Sequence, residues 1–290
     1  MTAYFRPATL EEALAIRAER DVEIVAGATD VYPAKANRAG WGVMGHKDVL
    51  DITAVPALDR IDDRAEHWRL GCLVTWTDIL RADLPPAFDG LRAAAREIGG
   101  VQIQNRGTLV GNLCTASPAG DGIPNLVALG AHIEMAGPGG ARTVAVDDFI
   151  DGYRRTTCRP DEIVVAIRVP KPRGTARGCF LKLGARRYLV ISIAMVAAVI
   201  ETDAENRIVR ARVAVGACSP VARRLTALED RLIGRPLGGD LASLCLPEDF
   251  DVLSPLDDVR ATAAYRVSAA QALVRDLLSG FSGEGARRAA

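Results

Sequence analysis

Along the first 170 residues, hydrophobic and polar positions switch several times between helical and strand spacing. Thr9, followed three positions later by Glu12, has the form of a capping box, which predicts a helix that ends near Arg20. Apolar stretches of strand length predict strands at 23–27, 49–53, 67–76, 132–136, 142–146 and 162–169. Short helices are predicted after Thr75, at 91–98 and at 125–129. This alternation of strands and helices is typical of α/β units.

The residues that follow the Pro-rich stretch at 170–174 have a different pattern. Long apolar runs predict strands at 178–184, 191–202 and 207–217, with a hairpin turn between the last two. Helical spacing predicts helices at 221–233, near 240–246 and at 259–278. We therefore expect a distinct C-terminal domain in which helices back an antiparallel sheet.

Length, composition and charge narrow the class of protein. A chain of 290 residues is long for one domain, and 49% hydrophobic residues are enough to form real cores. Lys and Arg together number 36, as do Asp and Glu, and no basic run is present, so we expect no nucleic-acid partner. The N-terminus lacks a signal-peptide apolar stretch, and no uncharged apolar run reaches the roughly 18 residues of a membrane span. We expect a cytoplasmic protein without a membrane segment.

The spacing of cysteines and histidines excludes several kinds of site. None of the six cysteines forms a Cys-x-x-Cys pair, so we expect neither a zinc site nor an iron–sulfur cluster within this chain. We expect these cysteines to be small buried side chains in strands. The three histidines are not clustered, and P-loop, His-Glu-x-x-His and Gly-x-Ser-x-Gly motifs are absent. Redox work would therefore require a bound cofactor.

The segment 101–131 is the first candidate for such a binding site. It places glycines, hydroxyl side chains and one acid between apolar runs. A positive φ is accessible to Gly107, Gly111, Gly120 and Gly122, which would let backbone amides approach a phosphate closely. Side-chain hydrogen bonds to a ligand are expected from Thr108, Asn112 and Ser117, and from Asp121 as the acceptor of a ribose hydroxyl. Composition alone also fits an ordinary polar loop.

A second candidate is the segment 23–31, where a predicted buried strand ends in a tight turn of small residues. Such a turn presents backbone amides at a strand end, where α/β proteins commonly bind ligands. Taken alone, this segment is better explained as an ordinary strand-to-turn corner. The presence of two such segments in one chain strengthens the case for a binding site.

Four motifs in the same order carry a family resemblance. They are the loops at 26–30 and 105–121, the segment Phe-Leu-Lys-Leu-Gly-Ala-Arg-Arg at 180–187, and the segment 256–266. Through them the chain resembles the FAD-binding subunit of the molybdenum hydroxylases, the xanthine dehydrogenase and carbon monoxide dehydrogenase family. The resemblance covers about residues 4–280.

The resemblance implies an α+β fold with two domains. It places a PCMH-type FAD-binding domain at 1–172, made of two α/β subdomains at about 1–55 and 56–172. A C-terminal domain like that of the CO dehydrogenase flavoprotein, an antiparallel sheet plus helices, follows at 173–290.

The same resemblance implies a non-covalent FAD site. Amides of the two loops would bind the pyrophosphate, Asp121 and Ser117 the adenosine half, and Lys182 would lie beside the isoalloxazine carbonyls. The full set of implied cofactor-binding residues is Val25, Ala26, Gly27, Ala28, Thr29, Asp30, Val31, Ile98, Thr108, Val110, Gly111, Asn112, Thr115, Ala116, Ser117, Gly120, Asp121, Val164 and Lys182.

Four positions depart from the family pattern, and one of them is Glu23, which stands where some relatives have a basic residue. Ala28 replaces the second glycine of the first loop, which we expect to be tolerated only with a negative φ. Val110 replaces a glycine before Asn112, and its β-branched side chain restricts the backbone. Ile98 stands where xanthine oxidases stack a phenylalanine on the flavin.

By resemblance, this chain is the electron-transfer subunit of a larger complex. A large subunit with molybdopterin-bound molybdenum and a small [2Fe–2S] subunit would be its partners, in a dimer of heterotrimers. Electrons would pass from the clusters through FAD to a terminal acceptor, and purines are favoured as substrates of the partner. Two alternatives stay open: a subunit that serves only as a flavin-less scaffold, and a self-sufficient flavin oxidase of the vanillyl-alcohol oxidase superfamily.

Overall fold

A small parallel sheet forms the N-terminal part of the fold. The structure, a computed structural model, describes residues 3–40 and 47–281. The first elements are β1 (Tyr4–Phe5), α1 (Leu10–Glu19), β2 (Val22–Val25), α2 (Val31–Gly40) and β3 (Asp48–Asp51). Strand β3 pairs in parallel with β1 on one side and β2 on the other. Thr9 caps α1 as predicted, because its hydroxyl accepts a hydrogen bond from the amide of Glu12 at 3.1 Å.

A five-stranded antiparallel sheet follows. The elements of this part are β4 (Ile61–Asp63), β5 (His67–Gly71), α3 (Trp76–Arg81), α4 (Asp89–Glu97), α5 (Val101–Gln104), α6 (Leu109–Thr115), α7 (Gly122–Leu129), β6 (His132–Gly137), β7 (Gly140–Ala145), α8 (Val146–Phe149), β8 (Ile150–Gly152), β9 (Arg155–Thr156) and β10 (Ile163–Pro170). The strand order is β4-β5-β10-β6-β7, while β8 and β9 form a separate hairpin. The central strand, β10, is thus the last one in the sequence.

Five α-helices lie between β5 and β6, and they determine how the first candidate segment, 101–131, is built. The capping box predicted at Thr75 is present: its hydroxyl accepts from the amide of Asp78 at 3.2 Å, and its amide donates to that carboxylate at 2.9 Å. The segment 101–131 is not one extended loop, since it contains α5, α6 and α7. Thr108 caps α6 through the amide of Gly111.

The C-terminal part is a four-stranded antiparallel sheet covered by helices. Its elements are β11 (Thr175–Leu183), β12 (Ala194–Thr202), β13 (Ile208–Gly216), β14 (Arg223–Arg224), α9 (Thr226–Leu232) and α10 (Ala263–Phe281). The strand order follows the chain, and α9 and α10 pack on this sheet. The helix predicted at 221–233 begins later, because residues 223–224 pair with β13 as a strand.

The two parts pack closely against each other. Helix α4 lies on β11, and α7 lies on β12 and β13. A Cβ at Gly178 would lie 2.3 Å from the carbonyl oxygen of Ala87, so a glycine is required for this approach. The carboxylate of Glu201 accepts hydrogen bonds from the amides of Arg173 at 2.6 Å and Gly174 at 2.8 Å. A buried acid of the second sheet therefore fixes the segment that joins the parts.

Each part has its own hydrophobic core. The larger cluster gathers side chains from the parallel sheet, the five-stranded sheet and the helices α3, α4, α6 and α7, as well as Phe149 of α8; among its members are Leu50, Leu70 and Leu91. The second lies between the four-stranded sheet and α9–α10, with Val213 and Leu277 fully enclosed. In the part of the chain that the structure describes, no helix is long and apolar enough to span a membrane.

Candidate functional site

A cavity of about 570 Å³ lies where the parallel sheet faces α6 and β10. The turn that follows β2 forms one wall, and α6 with the residues before it forms the opposite one. Thirteen of the nineteen residues implied by the resemblance line it: Ala26, Gly27, Ala28, Thr29, Asp30, Val31, Ile98, Thr108, Val110, Gly111, Asn112, Thr115 and Val164. Two segments far apart in sequence thus share one concave site, of a size typical of cofactor pockets.

The two loops touch each other directly. A Cβ at Gly27 would lie 1.9 Å from the carbonyl oxygen of Arg106 and 3.0 Å from the Cα of Gly107. At the other end, the hydroxyl of Thr115 donates to Asp30 at 2.9 Å. Gly27 is therefore required for backbone contact between the loops. Asp30 holds the C-terminal end of α6, which lies within the loop 105–121.

The positive φ values of the site fall on alanines, which corrects the expectation for the glycines. Among the described residues, Ala28 has a φ of 60° and Ala116 a φ of 46°. Positive values at described glycines occur only at Gly99, Gly130, Gly140 and Gly234. Gly107, Gly111, Gly120 and Gly122 instead have close neighbours where a Cβ would stand; for Gly122 these are Asn112 and Trp76, both at 2.8 Å. These glycines serve close packing rather than left-handed turns.

Val110 is accommodated without difficulty. It lies in the first turn of α6, which begins after Thr108, and its side chain is buried at the cavity wall. A helical φ is within the range of a β-branched residue, so the expected restriction does not distort the loop. Ala28 is the strained departure from the family pattern, because its φ is positive.

Asp121 and Lys182 form a buried ion pair that joins the two parts of the molecule. The Nζ atom of Lys182, on β11, donates to Asp121 Oδ2 at 2.6 Å, and the hydroxyl of Ser192 donates to Asp121 Oδ1 at 2.6 Å. The side chains of Lys182 and Asp121 are only 8% and 5% exposed. Burial raises the pKa of the Asp121 carboxyl, and the charge of Lys182 opposes that shift. Both carboxylate oxygens already have partners within the protein.

Six implied residues lie outside the cavity wall, among the described residues: Val25, Ala116, Ser117, Gly120, Asp121 and Lys182. The ion pair nevertheless adjoins the wall. The amide of Gly122, next to Asp121, donates to the side chain of Asn112 at 3.2 Å, and Asn112 lines the cavity. The hydrogen bond of Asp121 to a ribose and the contact of Lys182 with the flavin ring stay predictions.

Several wall residues were not found from the sequence. They come from α1, α3 and the chain around β9 and β10: Arg17, Trp76, Thr156, Cys158, Arg159, Glu162 and Ile163. Arg17 also has a buried Nε without a hydrogen-bond partner among the described residues. No local motif marks these positions, because they reach the cavity only through the order of the strands.

The cysteines only partly follow the expectation of buried strand residues. Cys218 and Cys245 are buried, but Cys114 lies on α6 with an exposed surface, and Cys158 is half-buried in a loop. Cys72, Cys114 and Cys158 all line the cavity. Burial raises the pKa of the Cys158 thiol to about 11 and that of Cys72 to about 12, so neither is a thiolate at neutral pH.

Comparison with known families accounts for both parts of this arrangement. Residues 1–172 match the family described as the FAD binding domain in molybdopterin dehydrogenase. Residues 180–280 match the CO dehydrogenase flavoprotein C-terminal domain. The chain therefore belongs to the FAD-binding medium subunits of the molybdenum hydroxylases, a family of oxidoreductase subunits.

Individual relatives match over nearly the whole chain. The nicotine 6-hydroxylase medium subunit of Paenarthrobacter nicotinovorans is 32% identical over 275 residues, which cover 94% of each chain. The carbon monoxide dehydrogenase medium chain of Hydrogenophaga pseudoflava is 26% identical over 279 residues, 95% of each chain. A solved structure of carbon monoxide dehydrogenase from that organism, lacking the Mo-pyranopterin moiety, superposes with a TM-score of 0.84 at 25% identity and 96% coverage of both chains. The predicted fold class, family and FAD-binding domain are thus confirmed.

Proposed function

We propose that this chain holds FAD in the cavity between its two loops and passes electrons through it, as the medium subunit of a molybdenum hydroxylase. The observation that carries the proposal is the direct contact of the 26–30 and 105–112 segments around one cavity, within a domain that matches the FAD-binding family. FAD supplies the redox chemistry when bound, and the protein binds and orients it.

The residues of the cavity suit the parts of this cofactor. The small residues Gly27, Ala28 and Gly107 line the cavity at the junction of the loops, and their lack of bulky side chains lets a pyrophosphate approach the backbone closely. Thr29, Thr108 and Thr115 supply hydroxyl groups, while isoleucines and Trp76 supply apolar surface for the rings. A cavity with polar groups at the junction of the loops and apolar side chains along its walls fits an extended dinucleotide.

In this proposal Lys182 influences the flavin without lining the cavity, since it lies next to the cavity wall. Its charge is balanced by Asp121, which Ser192 holds from the other side. A cation held at a fixed distance from the ring favours the negative charge that the flavin gains on reduction. The pair therefore tunes the flavin, and Asp121 does so through Lys182.

Partner subunits follow from the same proposal. Since the spacing of the cysteines leads us to expect no iron–sulfur cluster in this chain, the clusters that reduce the flavin would be held by other chains. The relatives are medium chains or subunits of enzymes named for nicotine, caffeine and carbon monoxide. We propose a molybdenum large subunit and a [2Fe–2S] small subunit as partners in a dimer of heterotrimers. The substrate is then decided by the large subunit, and the preference for purines stays a prediction, as do the cytoplasmic location and the division at residue 172.

Two measurements test the proposal. Acid treatment of the purified complex should release FAD in equimolar amount to this chain, as identified by chromatography and mass spectrometry. Release of FMN, or a fully folded complex with no flavin, contradicts it; the second result would support the scaffold alternative. Affinity purification should recover molybdenum and iron–sulfur subunits with the chain. Full substrate oxidation by the chain alone, without molybdenum, would instead support the self-sufficient oxidase.

A further inference from the structure

The segment 256–266 carries part of the family resemblance but contributes no residue to the cavity wall. It forms a turn that leads into α10. The carboxylate of Asp258 organises this turn by accepting hydrogen bonds from the amides of Arg260 at 2.8 Å and Ala261 at 3.3 Å. The same carboxylate accepts from Nη2 of Arg266 at 2.6 Å. The turn thus holds one particular arginine of α10.

Arg266 is enclosed in the protein, with only 4% of its surface exposed. Its Nη1 atom donates to the carbonyl of Ile193 at 2.6 Å and to the carbonyl of Ala217 at 3.1 Å. Ile193 immediately precedes β12, and Ala217 immediately follows β13. The guanidinium therefore ties together two strand ends of the C-terminal sheet, which its planar set of donors can reach at once.

Both strand ends continue into the boundary with the FAD-binding part. Ser192, the neighbour of Ile193, donates to Asp121 at 2.6 Å, and Asp121 pairs with Lys182. The amide of Ala217 donates to the carbonyl of Pro118 at 2.9 Å. Two hydrogen bonds thus reach the segment 118–121 from the strand ends that Arg266 binds. One starts from Ala217, a direct partner of Arg266, and the other from Ser192, the chain neighbour of its partner Ile193.

We infer that Arg266, fixed by Asp258, is a positioning residue that sets the Asp121–Lys182 pair through Ser192. The inference rests on the proposed function, because its consequence is felt by the bound flavin. Without the clamp, the ends of β12 and β13 separate, Ser192 releases Asp121, and Lys182 is no longer held at a fixed distance from the ring. The motif 256–266 thereby affects the reduction potential of the flavin indirectly, although none of its residues lines the cavity.

Arg266→Lys and Ser192→Ala test the inference, singly and together, in the intact complex. Lysine keeps the charge but cannot span two carbonyls and a carboxylate. Each variant should lower the flavin reduction potential, and the double variant should shift it no further than the larger single shift. Arg275→Lys is the matched control. This residue lies on the same helix and donates to the carbonyl of Cys245 at 3.2 Å, so its loss should affect thermal stability but not the potential.

A second measurement needs no flavin. In the chain by itself, amide hydrogen exchange at 119–122 should become at least tenfold faster in Arg266→Lys and stay unchanged in Arg275→Lys. If Arg266→Lys does not fold, Asp258→Ala replaces it, since that change removes the carboxylate that accepts from Arg266, at a partly exposed position. Additive potential shifts, or unchanged exchange at 119–122, would overturn the inference while leaving FAD binding intact. Absence of FAD from the wild-type complex would overturn the proposed function, and the exchange result would still decide about the clamp.

Discussion

Ala28 holds a left-handed backbone conformation at the centre of the first loop, where an L-residue with a Cβ is strained by about 1–2 kcal/mol. Ala28→Gly removes this strain, so we expect the free energy of unfolding to rise by up to about 1 kcal/mol after the greater chain entropy of glycine is subtracted. Urea denaturation measures the change. The exposed helical residue Ala15 is the control, since Ala15→Gly should destabilise. A loss of stability in both variants would mean that the positive φ is not strained.

The Lys182–Asp121 pair can be tested apart from any cofactor. Lys182→Met leaves a buried carboxylate without its cation, which costs about 3–5 kcal/mol of stability in comparable pairs. Lys182→Met combined with Asp121→Asn removes both charges and should recover most of that loss. Chemical denaturation of the wild type, Lys182→Met, Asp121→Asn and the double variant gives the coupling energy. In the flavin-loaded complex, Lys182→Met should also lower the reduction potential; an unchanged potential would show that the ring lies elsewhere.

Asp258 should make the protein sensitive to acid over a defined range. Hydrogen bonds from the amide of Arg260 and from Arg266 lower its pKa to about 2. Because the folded pKa lies below the roughly 3.9 of an unfolded aspartate, the stabilisation is complete above about pH 5 and is lost progressively as the pH falls through about 2. Unfolding free energies of the wild type and Asp258→Asn should therefore converge between about pH 5 and pH 2.

At the scale of elements, the contact between the two loops depends on the missing side chain of Gly27. In Gly27→Ala the new Cβ meets the carbonyl of Arg106, so the loops must separate. We expect a loss of about 1–3 kcal/mol in stability and weaker FAD binding, both typical of overpacking at a close contact. Gly139→Ala is the matched control, because no atom lies within 4 Å of the position of its Cβ. Flavin fluorescence titration compares the two; equal affinities would exclude a role for the loop contact.

The sequence predicted most elements of the fold because their signals are local. The capping boxes at Thr9 and Thr75 and the apolar runs of β11–β13 each depend on neighbouring residues. The two loops were found from their composition and family resemblance. In contrast, Arg17 and Arg159 reach the same cavity only through tertiary packing. The hydrogen bonds from Lys182 and Ser192 to Asp121 likewise require the packing of α7 against the C-terminal sheet. Which residues adopt a positive φ was also missed, since backbone strain follows from loop closure.

At the scale of the whole molecule, Glu201 connects the chain segment between the parts to the second sheet. In Glu201→Ala the amides of Arg173 and Gly174 lose a buried charged acceptor, each such bond being worth about 1.5–3 kcal/mol. We expect a lower melting temperature and a broadened or split unfolding transition in calorimetry, because the two cores are then less firmly coupled. Glu205→Ala, at an exposed turn, should unfold like the wild type. A sharp, unshifted transition in Glu201→Ala would show that the packing of α4 and α7 suffices.

The position of β10 at the centre of the five-stranded sheet has a consequence for how the protein is made. Among the strands that the structure describes, β10 is the only hydrogen-bonded partner that the hairpins β4–β5 and β6–β7 share, and it starts about 100 residues after β4. At synthesis rates of roughly 5–20 residues per second, the nascent chain exposes unpaired strand edges for roughly 5–20 seconds. Such edges invite pairing with other chains, so this stretch of translation is where protection by a chaperone matters most. Binding of the cofactor also requires that β10 has been synthesised and has joined the sheet, because Ile163 and Val164 of this strand complete the wall of the cavity.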